Sequence, residues 1–331
     1  MDDVPDHASI SVTSVSLSFG RIRAIDNLSL FANPGRITVL LGPNGAGKTT
    51  AIRLITGALT PSAGSVLVLG RDPIGPDGEY VRSSCGVVSA KPSLYDRLNG
   101  YDNLLYAADL YGVGKSVNVD SRIRSAAAQF GIEHALDNRV GGYSTGMKTR
   151  LALARSILHA PELLLLDEPT SGLDPESAQA VLELIRTMTD NGQTVLMCTH
   201  LLSEAEGLAD EIIMIEAGTT LIAGQPSEIS KRYWPDVEVS FSATDGSQLD
   251  FLATMADVKR YERAENTAKV TLSKADVVPT LVAEAVKRGA SLTAVRPFEP
   301  SLEDLYFAIR KEAAGISAES VPTRTLTGAP E

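Results

Sequence analysis

Apolar residues recur along this chain with two different periods, and together they predict a mostly parallel α/β domain. Short apolar runs predict buried strands at residues 36–41, 85–89, 163–167, 194–199 and 211–216. Helical patterns occur at residues 49–56, 175–189 and 202–208, and over a longer region at about 98–155. Strands that alternate with helices are typical of a parallel sheet whose faces are covered by helices.

Two further patterns predict smaller parts of the fold. Imperfect two-residue alternation predicts antiparallel strands at 10–19 and 25–31, and a further strand is expected at 65–69. The pattern changes near residue 232, so we expect a first domain over 1–232 and a small α+β domain over 233–313. In the second domain we expect strands at 237–243, 268–273 and 291–298 and a helix at 275–288. Residues 314–331 are rich in Ser, Thr, Pro and Ala, which predicts a disordered tail.

Composition narrows the function classes. The 331 residues are 44% hydrophobic, as expected for a globular chain of two domains, and carry a net charge of −11. A negative chain does not favour general coating of nucleic acid, which needs a positive field. Cys85 and Cys198 are the only cysteines and lie in apolar runs, so we expect no disulfide framework. No secretory signal and no bilayer-spanning stretch are visible, so a membrane function would need another polypeptide to do the spanning.

A glycine-rich motif between the first buried strand and the first helix indicates a phosphate site. It has the spacing G-x-x-x-x-G-K-[ST] and consists of Gly42, Pro43, Asn44, Gly45, Ala46, Gly47, Lys48 and Thr49, followed by Thr50. In this motif backbone amides surround the inner phosphates, the lysine reaches the outer ones, and the hydroxyl binds Mg²⁺. We therefore predict a nucleoside triphosphate site. The alternative is a glycine-rich structural turn.

Two acids follow another buried strand, in the run Leu163-Leu164-Leu165-Leu166-Asp167-Glu168. The carboxyl ends of parallel strands share one edge of a sheet, so both acids should lie beside the phosphate loop. Asp167 is expected to hold Mg²⁺ together with Thr49. Glu168 is then placed to orient and deprotonate the attacking water. The alternative is a pair of solvated acids that end a strand.

Three further motifs follow the phosphate loop. They are Tyr143-Ser144-Thr145-Gly146-Met147, Glu168-Pro169-Thr170-Ser171-Gly172-Leu173-Asp174 and Cys198-Thr199-His200. With these motifs in this order, the sequence from about residue 9 to 231 resembles the nucleotide-binding subunits of ABC transporters, in which they correspond to the signature, the region running into the D-loop, and the switch histidine. The resemblance implies a P-loop ATPase core with an antiparallel β subdomain and a helical subdomain. It also implies ATP and Mg²⁺ as ligands and ATP hydrolysis as the reaction.

The resemblance assigns roles to individual residues. Ser144, with the backbone of Gly146, would bind the γ-phosphate held by an opposite subunit, and His200 would hold the transition-state geometry beside Glu168. Asp174 would connect two sites across a dimer, and Phe19 would stack on adenine. As alternatives, Ser144 and Asp174 are helix caps and Phe19 is a core residue.

The sequence departs from the family pattern at two places. A glutamine that touches Mg²⁺ and the attacking water is expected at Ala90, and no glutamine occurs between Thr49 and Gln129. The signature has Thr145 in place of its first glycine and Met147 in place of its last residue. A β-branched residue could shift a loop that approaches phosphate closely. These changes predict slow hydrolysis or one weak site in a mixed dimer.

Other segments resemble bacterial exporter ATPases of the antibiotic-resistance and sodium-extrusion type. They are Pro92-Ser93-Leu94-Tyr95-Asp96-Arg97-Leu98, the altered signature, and Pro300-Ser301-Leu302-Glu303-Asp304-Leu305-Tyr306. The resemblance implies a homodimer or heterodimer of ATP-binding subunits that drives a separate permease from the cytoplasmic face of the membrane, with no nucleic acid involved. A soluble ABC-type ATPase and a nucleotide-sensing subunit with little or no turnover are the alternatives.

Overall fold

The computed structural model describes residues 8–115 and 118–313, and the chain divides into two compact units after Gln225. The strands of the first unit are β1 (Ile10–Phe19), β2 (Ile22–Ala32), β3 (Ile37–Leu41), β4 (Ala63–Val68), β5 (Cys85–Val88), β6 (Leu163–Asp167), β7 (Thr194–Thr199), β8 (Glu211–Glu216) and β9 (Thr219–Gly224). Its helices are α1 (Lys48–Ile55), α2 (Gly78–Ser83), α3 (Gly100–Leu110), α4 (Val119–Gln129), α5 (Thr145–Ile157), α6 (Pro175–Asp190) and α7 (Leu202–Ala205).

A six-stranded sheet in the order β5-β6-β7-β3-β8-β9 forms the centre of the first unit. Its first five strands are parallel, and only β9 runs antiparallel, to β8. All residues of β3, β6 and β7 are buried, as expected for parallel strands covered on both faces. The predicted parallel α/β core is confirmed.

The register of the three central strands brings their carboxyl ends to one edge. Leu41 at the end of β3 pairs with Thr199 at the end of β7, and Asp167 at the end of β6 pairs with Cys198. The phosphate loop, Glu168 and His200 each come directly after one of these strands. Neighbouring parallel strands therefore place three distant segments of sequence side by side.

A second, three-stranded antiparallel sheet has the order β2-β1-β4. The imperfect alternation in β1 has a structural reason, because the pairing with both neighbours is irregular around Ser14, which has a φ of 49°. Val12 and Val15 both face the core although they are three positions apart in the strand. A β-bulge of this kind changes which residues of a strand face inward.

The predicted helical region contains α3, α4, α5 and two short 3₁₀ turns, Glu133–Ala135 and Val140–Gly142. Asn99 caps α3 by accepting a hydrogen bond from the Asp102 backbone N–H at 2.7 Å. The buried side chains of Leu104, Ile123 and Leu151 lie on α3, α4 and α5. These helices form the expected helical subdomain.

The second unit contains α8 (Pro226–Tyr233), α9 (Val278–Lys287), α10 (Leu302–Ala313), and β10 (Val237–Ala243), β11 (Val258–Ala264), β12 (Thr267–Leu272) and β13 (Leu292–Pro297). The strands form an antiparallel sheet in the order β11-β12-β10-β13. Phe241, Val270 and Leu281 share its core with the 3₁₀ segment Gly246–Thr254. The predicted α+β class is confirmed.

Some boundaries differ from the sequence prediction. The division after Gln225 precedes the predicted boundary at 232, because α8 belongs to the second unit. The sequence pattern also missed β9, β11, α2, α8 and α10. β11 has mostly charged and exposed residues and lies at a sheet edge, so it lacks an apolar alternation. The predicted tail at 314–331 lies outside the described residues.

Substitution of Leu165 by alanine should destabilise the first unit strongly. Leu165 is fully buried in β6, and loss of its side chain leaves a cavity that costs about 2–5 kcal/mol of unfolding free energy. The control is Leu110→Ala, since Leu110 is 70% exposed and its loss should cost about 0.5 kcal/mol or less. Urea denaturation followed by circular dichroism measures both. Equal effects of the two changes would contradict the assigned position of β6.

Candidate active site

The loop between β3 and α1 has glycines where a side chain would collide. A Cβ on Gly42 would lie 2.4 Å from the Ile215 carbonyl oxygen. Gly47 has a φ of 108°, and a Cβ there would lie 2.7 Å from Ile25 Cδ1. Gly47 also directly precedes the first residue of α1, so the backbone N–H groups at the start of this helix are directed at the loop. This geometry suits a phosphate group.

Lys48 is buried, with 6% of its surface exposed. Its ammonium group donates hydrogen bonds to the Gly42 carbonyl at 2.7 Å and to the Pro43 carbonyl at 3.3 Å. The same Nζ lies 3.2 Å from Glu168 Oε1. The lysine side chain is therefore held along the loop, with its charge beside the candidate base.

Thr49 and Asp167 form a second contact at this edge of the sheet. The Thr49 hydroxyl donates to Asp167 Oδ2 at 2.8 Å. Asp167 Oδ1 is buried and has no hydrogen-bond partner among the described residues. Burial raises the pKa of the Asp167 carboxyl, and the nearby Glu168 charge adds to this, whereas the Thr49 hydrogen bond opposes it. A buried carboxylate oxygen without a partner, next to a hydroxyl, fits a Mg²⁺ ion that keeps water and phosphate ligands.

Glu168 connects the candidate catalytic groups. Its Oε1 contacts Lys48, and its Oε2 lies 2.7 Å from Nδ1 of His200. Its backbone has a φ of 52° and donates a hydrogen bond to the Cys198 carbonyl at 2.9 Å. A left-handed conformation costs a glutamate about 1–3 kcal/mol, and strain of this kind concentrates at functional sites. The side chain is thereby turned toward the phosphate loop.

The structure brings five of the predicted site residues together in a candidate catalytic network. Lys48 and His200 both contact Glu168, and Thr49 contacts Asp167. The two groups are adjacent because residues 48–49 and 167–168 are neighbours in the chain. His200 is exposed, with 38% of its side-chain surface accessible.

The signature residues lie at the start of α5. Ser144 caps this helix, since its Oγ accepts a hydrogen bond from the Met147 N–H at 3.2 Å. Thr145 is the first residue of a regular α-helix, so it fits there without a left-handed backbone. A Cβ on Gly146 would lie 3.5 Å from Ser177 Oγ, which places the signature against the start of α6. Thr145 therefore occupies this position in an ordinary helical conformation, without the backbone shift that the sequence suggested.

Asp174 and Phe19 each had a structural alternative, a helix cap for Asp174 and a core position for Phe19, and only the first is present. Asp174 caps α6, and a hydrogen bond from the Ser177 N–H at 2.9 Å lowers the pKa of its carboxyl. The cap is present, and the role across a dimer stays a prediction. Phe19 pairs with Ile22 at the tip of the β1–β2 hairpin and is 49% exposed, so the core alternative is wrong.

The position of the missing glutamine is a surface loop. Ala90 is exposed, and the neighbouring Ser89 hydroxyl donates to the Lys91 carbonyl at 2.9 Å. The Ser89 proton is therefore used within its own loop. Its oxygen can still accept a hydrogen bond from water.

Sequence reasoning missed three buried polar residues next to the network: Thr170, Thr199 and Glu204. Thr170 and Thr199 are inside recognised motifs but were not singled out there. A glutamate four residues after the switch histidine is the only sequence signal for Glu204.

Comparison with known proteins decides the family. Residues 25–171 match the family described as ABC transporter. The chain is 32% identical over 302 residues to the Nod factor export ATP-binding protein I of Rhizobium sp. (strain N33), an overlap of 91% of this chain and 96% of that protein. The chain belongs to the ABC transporter ATP-binding proteins.

Two further proteins, one curated relative and one solved structure, are similar to this chain. The chain is 31% identical over 334 residues to the doxorubicin resistance ATP-binding protein DrrA of Mycobacterium tuberculosis (strain ATCC 25618 / H37Rv), with 97% of each chain covered. A solved ATP-binding subunit of an ABC transporter superimposes with a TM-score of 0.61 and 27% identity, covering 68% of this chain and 92% of that one.

Membership of the family confirms the predicted resemblance, the P-loop fold, and the binding and hydrolysis of ATP. Within residues 8–115 and 118–313, no helix of this ABC ATPase subunit has the length and apolar character needed to cross a membrane.

Replacement of Phe19 by alanine should weaken ATP binding. Loss of a stacking contact worth about 0.5–1.5 kcal/mol raises the Kd for ATP by about 2- to 10-fold. Ile22→Ala is the matched control, because Ile22 is an exposed apolar residue of the same hairpin. Titration with a fluorescent ATP analogue measures both. An unchanged Kd for the Phe19 variant would contradict the stacking role.

Proposed function

We propose that this ABC ATPase subunit powers an exporter by closing, as a pair of ATP-binding subunits, over two ATP molecules. The observation that carries the proposal is the contact of Glu168 with both Lys48 and His200 at the mouth of the phosphate loop. Ser144, whose helix end would complete such a site, begins α5, and Gly146 in the same turn lies against the start of α6. A neighbouring subunit then has to supply the signature.

Binding of the triphosphate follows from the loop geometry. The backbone N–H groups at the start of α1 and the Lys48 ammonium are the positive groups at this position. Phosphate oxygens would replace the carbonyls of Gly42 and Pro43 as acceptors for the lysine protons. Lys48 would then turn its charge from Glu168 to the γ-phosphate, and the Glu168 carboxylate becomes free to accept a proton.

Hydrolysis needs a water molecule held in line with the γ-phosphate. Glu168 Oε1 would accept a proton from that water, and the His200 ring, in contact with Oε2, would fix the carboxylate and the phosphate relative to each other. Thr49 and Asp167 would hold Mg²⁺, which supplies charge neutralisation at the β- and γ-phosphates. Loss of the γ-phosphate would remove the charge that joins the two subunits.

The partner that we propose is a separate transmembrane permease, which this subunit would contact from the cytoplasmic face of the membrane. The segment that follows Ala90 exposes Tyr95, which packs edge-on against Tyr106 of α3 with ring centres 5.1 Å apart. Asn103 binds both the N–H and the carbonyl of Tyr95, at 2.8 and 3.1 Å. Arg155 of α5 donates to the Ser93 carbonyl at 2.5 Å. A displacement of this segment by the permease would therefore move α3 and α5, and the signature lies at the start of α5.

Export is supported by the relatives, since the names of the two similar proteins are Nod factor export and doxorubicin resistance. The second candidate is a sensor with little turnover, and the alanine at position 90 is the observation that favours it. A single-turnover assay with Mg²⁺ and ATP separates the two, since a sensor binds ATP without releasing phosphate.

The shared site is tested by complementation between two inactive variants. Lys48→Ala and Ser144→Ala should each abolish hydrolysis in a pair of identical subunits, because both sites then lack the same group. A mixed pair contains one intact site of two, and we expect it to recover roughly half of the wild-type rate. Two affinity tags isolate the mixed pairs, and phosphate release measures the rate.

The control pair joins Lys48→Ala with Glu168→Gln, which damage the same half of the site. This pair has no intact site and should stay inactive. Recovery in neither pair, or equal recovery in both, would show that Ser144 does not act across subunits.

Introduction of the missing glutamine, Ala90→Gln, should increase the rate of hydrolysis. The residue is exposed, so the longer side chain fits without a steric cost. One preorganised contact in the transition state is worth about 10²–10³ in rate, and we expect kcat to rise toward that range with KM for ATP little changed. Lys91→Gln places the same side chain one residue away and serves as the control. A kcat that does not change would exclude the loss of the glutamine as a cause of slow turnover.

A further inference from the structure

A buried carboxylate lies beside the candidate catalytic network. Glu204 of α7 is 7% exposed, and each of its two oxygens accepts one hydrogen bond from a threonine hydroxyl. Thr170 Oγ1 donates to Oε1 at 2.5 Å, and Thr199 Oγ1 donates to Oε2 at 2.8 Å. Both threonines are also buried. A carboxylate in such a place is tolerated when its oxygens are hydrogen-bonded.

The two threonines belong to the two segments that carry the catalytic candidates. Thr170 lies two residues after Glu168, and Thr199 directly precedes His200. Glu204 therefore links the segment after β6 to the segment after β7. Glu168 and His200, which these segments carry, meet at 2.7 Å.

Backbone hydrogen bonds extend this link on both sides. The Leu201 N–H donates to Thr199 Oγ1 at 3.1 Å, so the hydroxyl that binds Glu204 also holds the residue after His200. On the other side, the Thr170 carbonyl accepts from the Leu173 N–H at 3.1 Å, in the turn that leads to Asp174. Each hydroxyl has one proton, and its donation to Glu204 fixes the direction of that hydroxyl.

We propose that Glu204 is a positioning residue that sets the distance and orientation between Glu168 and His200. The proposal rests on the catalytic roles proposed for these two residues. Glu204 is buried behind the two threonines and is not a group that touches ATP. It acts through Thr170 and Thr199, so that the carboxylate and the imidazole are already aligned when ATP binds.

Variants that remove either hydrogen-bond partner test the proposal. Thr170→Val and Thr199→Val remove a hydroxyl at nearly constant volume, and Glu204→Ala removes the acceptor. A displacement of about 1 Å at a catalytic group can reduce turnover by about 10²-fold, so we expect kcat to fall between 10- and 100-fold. KM for ATP should stay within about twofold, because the phosphate loop is untouched.

Restoration of the hydroxyl separates positioning from packing. Thr170→Ser and Thr199→Ser keep the donor and lose a methyl group, and we expect them to retain most of the wild-type kcat. Thr170→Val combined with Glu204→Ala should lose little more than the stronger single variant, because both changes break the same link.

The matched control is Thr38→Val. Thr38 is a buried threonine of β3 that donates to the buried Glu211 at 3.2 Å, the same type of pair at a different place in the sheet. This variant should leave kcat unchanged while its effect on thermal stability resembles that of Thr170→Val. If kcat falls by a similar factor in Thr38→Val, the effect of the Glu204 variants comes from a general loss of stability, and the proposal is overturned.

Other outcomes are equally decisive. If Glu168→Gln and His200→Ala reduce kcat but the valine variants do not, the catalytic roles stand and the positioning role is wrong. If Glu168→Gln and His200→Ala leave kcat unchanged, both the catalytic roles and the positioning role are wrong. If a valine variant raises KM with kcat unchanged, the link acts on ATP binding and the proposal is overturned.

Discussion

The site depends on the parallel pairing of β6, β7 and β3, which places the ends of three strands next to one another. Leu41 pairs with Thr199, and Asp167 pairs with Cys198. A shift of one residue in either pairing would turn Asp167 or the residue before His200 to the other face of the sheet. Complete burial of these strands opposes such a shift, because each side chain would have to leave the space it fills and pack on the opposite face of the sheet.

The charged groups at the site are held close together at a cost in free energy. Glu168 lies between a buried ammonium group and an imidazole, and Asp167 keeps one oxygen without a partner among the described residues. The left-handed backbone of Glu168 adds strain at the same point. Packing elsewhere in the first unit has to offset these costs, which is the usual relation between a preorganised site and its scaffold.

A chain of side-chain contacts connects the segment around Tyr95 with the signature and α6 in the first unit. The segment around Tyr95 is fastened to α3 by Asn103 and to α5 by Arg155, while the signature begins α5. The signature in turn lies against α6, whose first turn is capped by Asp174. Contacts between rigid helices of this kind transmit a displacement without needing a flexible element, which is how closure of two subunits would reach a permease.

The core fold and the residues around the phosphate loop could be predicted from local sequence. The phosphate loop depends on glycine geometry, and buried strands show as apolar runs, so the core fold, Lys48, Thr49, Asp167 and Glu168 were predictable. Tertiary structure decided the exposure of Phe19, the charged edge strand β11 and the link through Glu204. These features depend on contacts between residues far apart in sequence or on edges that carry no apolar pattern. A local pattern determines which elements form, whereas only the packed sheet determines which side chains meet.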